Sequence, residues 1–285
     1  MSVLDPSLLF SAPAAILFFS IVDRLICVRC ADIETAQLLS QGYGGMSLNS
    51  PSRRADMNYF VGREPSISGY YLLRDGIDKC CVQDEAEFLF TFEKDLTIEL
   101  QKLRSDLFFI HAAALEYQKR AIIYPASSGT GKSTFTWGLL QNELRYLSDE
   151  LAPINLATMH VLPYPHALCL KSDPPAPYHL PQTILRTSHT LHVPVTQFAD
   201  AVVSEATQLS AIFFLEYDSS ATNPTIRQIS PGTAAARLFS HALNPLAHSA
   251  NGLEAAISIV KKVECFELHM TDLKETCLLV KKFLD

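Results

Sequence analysis

The pattern of apolar and polar positions changes character near residue 106. Before it, apolar residues come in short runs, at 15–22, 25–28, 69–73 and 87–92. Runs of this length between polar or turn residues predict strands, and Arg74-Asp75-Gly76 after one of them predicts a turn. Residues 33–40 predict a short helix. Residues 94–103 predict a second helix, with Leu96, Ile98, Leu100 and Leu103 facing a core. Residues 41–63, rich in Gly, Ser, Asn and Arg, predict a loop. The apolar stretch from Leu8 to Val22 follows Asp5 and Pro6, has no basic flank and is too short to span a membrane, so it predicts loop followed by buried strand rather than a signal peptide. Residues 1–105 thus predict a small, strand-rich α+β unit.

From Asp106 the runs lengthen. Residues 107–115 form one apolar run, 116–120 a polar turn and 121–124 a second run that leads into a glycine-rich segment. A helix is predicted from Lys132, with Phe135, Leu139 and Leu140 on one side. Arg145-Tyr146-Leu147-Ser148 is the next strand, with Asp149-Glu150 at its end. Residues 151–162 predict a hairpin closed around 155–158, and the proline-rich 173–181 an irregular loop. A buried strand is predicted at 211–217. Ser230-Pro231 opens a helix with a capping serine and a proline in the first turn, its body at 234–243. A helix at 252–262, a strand at 265–268 and a closing helix at 271–284 complete the chain. Strands alternating with helices predict an α/β domain over residues 106–285.

Composition narrows the function. With 285 residues, 48% of them hydrophobic, the chain can bury a sizeable core as one large domain or two smaller ones. A net charge of −7 gives nothing to gain from counterion release, so nucleic acid is not an expected partner. No Lys/Arg-rich block points to a membrane surface. The chain contains no internal repeat or low-complexity segment. The seven cysteines are odd in number and scattered, so no disulfide framework is expected. Cys27 and Cys30 have C-x-x-C spacing, but Cys80 and Cys81 are adjacent and cannot be the second half of a zinc site. Cys27 and Cys30 therefore read as strand residues in a reduced compartment, and the cytoplasm is the expected location.

The segment Ala126-Ser127-Ser128-Gly129-Thr130-Gly131-Lys132-Ser133-Thr134 carries the most specific chemistry. The pattern G-x-x-x-x-G-K-[ST] curls backbone N–H groups around phosphates and aims a helix N-terminus at them. It lies between a predicted strand and a predicted helix, the context that it requires. Lys132 would neutralise phosphate charge, and the Ser133 hydroxyl would ligate the magnesium that travels with ATP. Ala126 stands in the place of the first glycine, which it can hold only at negative φ. Asp149 and Glu150 end the next strand, on the ligand side of a nucleotide fold. One carboxylate could hold magnesium and the other accept the proton of an attacking hydroxyl. Taken alone, His111 in its apolar run reads as a core histidine. Lys171 reads equally as a second phosphate-facing cation or a surface lysine.

These residues carry a resemblance. The stretch from His111 to Glu150 resembles the catalytic core of the HPr kinase/phosphorylase family: Ile110-His111-Ala112-Ala113, a strand-turn-strand, the phosphate loop, a helix, and Leu147-Ser148-Asp149-Glu150. The resemblance implies a P-loop domain of the phosphoenolpyruvate-carboxykinase type with a mixed sheet. By it, Asp149 matches the catalytic acid/base, Glu150 the metal-side carboxylate and His111 the active-site histidine. Ala112 stands where the family has glycine. The family's arginine-glycine-leucine-glycine-isoleucine stretch is replaced by Pro163-Tyr164-Pro165-His166-Ala167-Leu168-Cys169-Leu170-Lys171. In this the chain looks more like the HPr-kinase-related proteins of peptide natural-product pathways, including kinases that phosphorylate a serine of lasso-peptide precursors.

The leading expectation is an ATP- and magnesium-dependent kinase in which Asp149, His111 and Lys132 act on a serine hydroxyl of a peptide or protein. The unit 1–105 is a candidate for peptide recognition, through an exposed strand edge if it forms a groove. A small-metabolite acceptor is the alternative within the same class, and a non-catalytic nucleotide switch the alternative outside it. The family resemblance also implies homo-oligomers.

Overall fold

The computed structural model describes residues 12–51, 53–75, 78–218 and 220–285. The start of the N-terminal apolar stretch (8–11), Ser52 in the predicted loop and Gly76 in the predicted turn lie outside the described residues.

The first half builds a five-stranded sheet whose strands lie in chain order. Strands β1 (Ala15–Ile21) and β2 (Arg24–Cys30) form a hairpin through Val22 and Asp23, both at positive φ. Helix α1 (Ile33–Tyr43) starts at Asp32, whose carboxylate accepts from the Thr35 N–H at 2.8 Å. Strand β3 (Met57–Glu64) runs parallel to β2; β4 (Gly69–Arg74) and β5 (Cys80–Val82) follow antiparallel. The expected loop over 41–63 therefore holds the end of α1 and most of a strand. Met57, Tyr59 and Val61 alternate inward there between less buried Asn58 and Phe60, a period of two that the polar neighbours obscure. Gly62 is required by close approach: a Cβ would sit 2.7 Å from Cβ of Ala31.

A second correction concerns residues 87–92, expected as a strand. They belong to helix α2 (Glu85–Leu103), which extends the expected helix by more than two turns. The Asp84 carboxylate caps it by accepting from Glu87 N–H at 2.9 Å, and Glu85 and Glu87 complement the dipole. Phe88, Phe92, Leu96 and Leu100 recur every four residues on the buried face, joined by Leu89.

The second half builds a larger mixed sheet. Its strands are β6 (Leu107–Tyr117), β7 (Arg120–Pro125), β8 (Arg145–Ser148), β9 (Leu151–Asn155), β10 (His160–Val161), β14 (Thr207–Tyr217), β15 (Thr225–Gln228) and β16 (Glu264–Met270), and its main path is β10-β9-β6-β7-β14-β16-β15. Three short strands, β11 (Leu168–Leu170), β12 (Leu185–Arg186) and β13 (Leu191–Val193), pair separately. Helices α3 (Lys132–Leu140), α4 (Pro231–Ser240), α5 (Leu253–Val260) and α6 (Leu273–Leu284) complete this part. The architecture is mixed α/β.

Two features of this sheet position the site. Strands β7, β14 and β16 are parallel neighbours, so their C-terminal ends lie along one side. Strand β6 changes partner on its other edge. Leu107–His111 pair with β9 and Ala114–Glu116 with β8, and Asp149-Glu150 fill the break between the two partners. The acidic pair is thereby fixed beside His111.

The apolar core does not stop at residue 106. Leu107, Phe109, Leu151, Leu162 and Tyr164 pack in one cluster with Ile26, Phe88, Phe92 and Leu96 of the first half. No helix among the described residues is long and apolar enough to cross a membrane.

Candidate functional site

Strand β7 delivers the chain into the glycine-rich turn and α3 leaves it, so the predicted strand–loop–helix order is present. Gly129 and Gly131 have φ of 87° and 94°, the left-handed region that side chains avoid. Ala126 is buried and is not among the positive-φ residues, which meets the condition for alanine there. The turn is closed by Thr130, whose N–H and hydroxyl both donate to the Ser127 carbonyl, at 3.2 and 2.8 Å. Gly131 caps α3 without a side chain, so no capping side chain takes up the first N–H groups of the helix. That end suits an anion.

Lys132 is 7% exposed. Its ammonium donates to the Asp149 carbonyl and lies 3.3 Å from Oε2 of Glu150. Nε2 of His111 lies 3.4 Å from the other Glu150 oxygen. One cavity of about 710 Å³ brings together His111, Ser127, Ser128, Gly129, Gly131, Lys132, Ser133, Thr134 and Glu150. Thr130 lines two smaller cavities on the other sides of the loop. Lys171 lines the large cavity and donates to the Ser128 hydroxyl at 3.4 Å.

The two acidic residues differ in surroundings. Asp149 is 2% exposed and does not line the large cavity. The Tyr146 hydroxyl lies 2.7 Å from its Oδ1 and 3.0 Å from the His166 carbonyl, sharing one proton between them. Its Oδ2 accepts from the Cys169 N–H at 3.2 Å. Burial pushes the Asp149 carboxyl above its ordinary value, with Lys132 pulling the other way. Burial would also raise Glu150, but the Lys132 ammonium outweighs it and holds this carboxylate below its ordinary range. His111 is lowered by burial and by Lys132, so at neutral pH a neutral imidazole faces an ionised carboxylate.

The far wall of the cavity is helix α2. Phe90, Glu93, Lys94, Thr97, Ile98 and Gln101, one stripe of the helix, look across at the glycine-rich turn. The sequence pointed to a strand edge in this half of the chain, and the surface facing the cavity is a helix instead. Glu93 had no sequence signal at all. A quarter of its side chain is exposed, yet Oε1 is buried without a hydrogen-bond partner, 3.9 Å from Nδ1 of His166. Burial, reinforced by Glu150 and Asp149, pushes its carboxyl up to about 8. Tyr146, whose hydroxyl reaches both Asp149 and the His166 carbonyl, also went unread, because that meeting depends on the fold.

Cys27 and Cys30 are buried and unpaired in β2, and burial pushes the Cys30 thiol up to about 12. Among the described residues, the one cluster with metal-ligand geometry is Glu216, Glu267 and His269. Arg237 pairs with both glutamates there, at 2.8 and 2.6 Å.

No protein-family model matches the chain, and no curated protein matches its sequence. Among solved structures, the Hpr(Ser) kinase/phosphatase from Coxiella burnetii overlaps 62% of this chain and 93% of its own, at 12% identity and a TM-score of 0.31. At so low a likeness, the chemistry rests on the residues of this chain alone.

Proposed function

We propose that this protein is an ATP-dependent kinase that transfers the γ-phosphoryl group to a serine hydroxyl of a peptide or protein. The observation that carries the reading is the convergence of Lys132, Ser133, His111 and Glu150 on one cavity. Phosphates seated on the glycine-rich turn would draw the Lys132 ammonium away from the Asp149 carbonyl and onto their β/γ oxygens. The Ser133 hydroxyl is a hard oxygen donor of the kind magnesium takes, and the ion arriving with ATP would offset phosphate charge. Asp149 would have to give up the Tyr146 or Cys169 bond to join that hydroxyl.

The acceptor enters between α2 and the loop. Its oxygen bonds to the γ-phosphorus as the bond to the β-bridging oxygen breaks and ADP leaves. The proton passes to a carboxylate. In this geometry Glu150 is the acceptor of that proton, because it fronts the cavity, is ionised at neutral pH and has His111 beside it. Asp149, the residue that the family resemblance favours for this role, then serves as the buried post that fixes the Ser148–Glu150 turn. Phe90 and Ile98, both exposed on the cavity wall, suit an acceptor with apolar residues near its serine. A lasso-peptide precursor is the acceptor implied by the resemblance.

The test is a Mg-ATP transfer assay on a panel of serine peptides, read by mass spectrometry. A peptide gaining one phosphoryl group, with the product lost in Lys132→Ala, is expected. Glu150→Gln should lower turnover by about 10²–10⁴-fold, the usual worth of a general base. Loss in Asp149→Asn with activity kept in Glu150→Gln would return the base role to Asp149. ADP formation that depends on Lys132 but labels no peptide would move the acceptor to a small metabolite.

A further inference from the structure

We infer that the base of the nucleotide sits in a second cavity of about 380 Å³, where Tyr217, Pro175, Met270 and Leu273 supply apolar walls beside Thr134, Thr271, Asp272 and Thr276. The inference rests on the reading of the glycine-rich turn as a phosphate site and adds the direction in which the nucleotide lies.

Three observations lead there. The first is topological. In parallel α/β sheets, ligands lie outside the C-terminal ends of the strands. Strands β7, β14 and β16 end side by side at Pro125, Tyr217 and Met270. The phosphate turn follows the first of these ends, and the apolar cavity lies at the other two.

The second is the polarity of the phosphate chain. Lys132 serves β- and γ-phosphates and the hydroxyl after it a metal, so the large cavity with His111 and Glu150 is the γ end. The chain must leave past the first turn of α3. Gly131, Thr134 and Phe135 of that turn line the apolar cavity, and Gly131 and Thr134 line the large one as well, so the two adjoin across the turn.

The third is chemical. A base is a flat ring that needs apolar faces on both sides. Tyr217 is 61% exposed at the rim, and Met270 is buried at the back. A rival cavity of about 500 Å³ touches the earlier part of the turn, Ser127 to Thr130. Its other wall holds Leu215, Glu216, Arg237 and His241, with Arg237 tied to Glu216 at 2.8 Å; Tyr217 stands between the two cavities and borders both, so photolabelling is what separates them. Charged, mutually paired groups make a poor bed for a ring, and Gly131 and Thr134 do not reach it.

Two measurements on the full chain test this. In calorimetry, Tyr217→Ala should weaken ATP binding by about tenfold, the worth of one base–aromatic stack, and leave inorganic triphosphate unchanged. Tyr217→Phe should restore ATP binding. Photolabelling with 8-azido-ATP, followed by peptide mapping, should mark the segment 270–276 or Pro175. Labelling confined to the segment with Arg237 and His241, or to α2, would overturn the assignment. So would equal weakening of ATP and triphosphate in Tyr217→Ala, since the effect would then run through the phosphates. If the wild-type chain binds triphosphate as tightly as ATP, the base site falls alone. If it binds neither, the phosphate site falls with it.

Discussion

Replacing Glu93 by glutamine should stabilise the protein at alkaline pH. The carboxyl lies in the wall of the large cavity with a buried, unpartnered oxygen, and its value is pushed from an ordinary 4.5 to about 8. In the unfolded chain it ionises near 4.5; in the fold it stays protonated to about 8. The folded state therefore holds the extra proton across this window, and stability falls as pH rises through it. At about 1.4 kcal/mol per pH unit the loss has a ceiling of about 5 kcal/mol. Water reaching the exposed quarter of the side chain screens part of this, leaving roughly 2–4 kcal/mol. Glu93→Gln keeps the shape and cannot ionise. Urea unfolding of both proteins at pH 5 and pH 9 measures the difference. The two should be within about 1 kcal/mol at pH 5, and the variant should lead by roughly 2–4 kcal/mol at pH 9. The comparison cancels other groups that titrate in both proteins. An equal difference at the two pH values would refute the reasoning, because Glu93 would then titrate alike in the folded and unfolded chain.

Further outcomes follow from the same geometry. Tyr146→Phe removes the hydroxyl that serves Asp149 and the His166 carbonyl, and should cost about 1.5–3 kcal/mol in chemical unfolding, as for a hydrogen bond to a charged group. Phe90→Glu changes a residue that is 67% exposed on the cavity wall, so the melting temperature should hold while KM for a peptide acceptor rises and KM for ATP does not. An unchanged peptide KM would remove α2 from the acceptor site.

The parts of the fold that could be read from sequence were those whose signal is local. The glycine-rich turn is defined by positions in contact with one another, and its flanking runs 107–115 and 121–124 are too apolar to be anything but buried. The N-terminal half was harder. Residues Glu87-Phe88-Leu89-Phe90-Thr91-Phe92 mix apolar and polar positions at a spacing that suits a strand, and the helical period shows only when Leu96 and Leu100 are added. Strand β3 was hidden because Asn58, Gly62 and Arg63 are loop-forming types that serve a strand here for reasons of packing. The site divides the same way. Lys132, Ser133 and the acidic pair belong to motifs. Glu93 and His166 meet across 73 positions and Tyr146 and His166 across 20, and no spacing rule carries that information.

Helix α2 has two faces with different obligations. One, with Phe88, Phe92, Leu96 and Leu100, is locked into a core that also holds Leu107, Phe109 and Leu151 of the second half. The other, with Phe90, Lys94, Thr97, Ile98 and Gln101, answers only to whatever enters the cavity. Interchanging residues on the outer face leaves the inner one untouched. If α2 is the wall that an acceptor meets, taste in substrates could be rewritten within a dozen residues of one helix, while the phosphate chemistry across the cleft stays as it is. Excising the first hundred residues to isolate that chemistry would strip the cover from Leu107, Phe109 and Leu151.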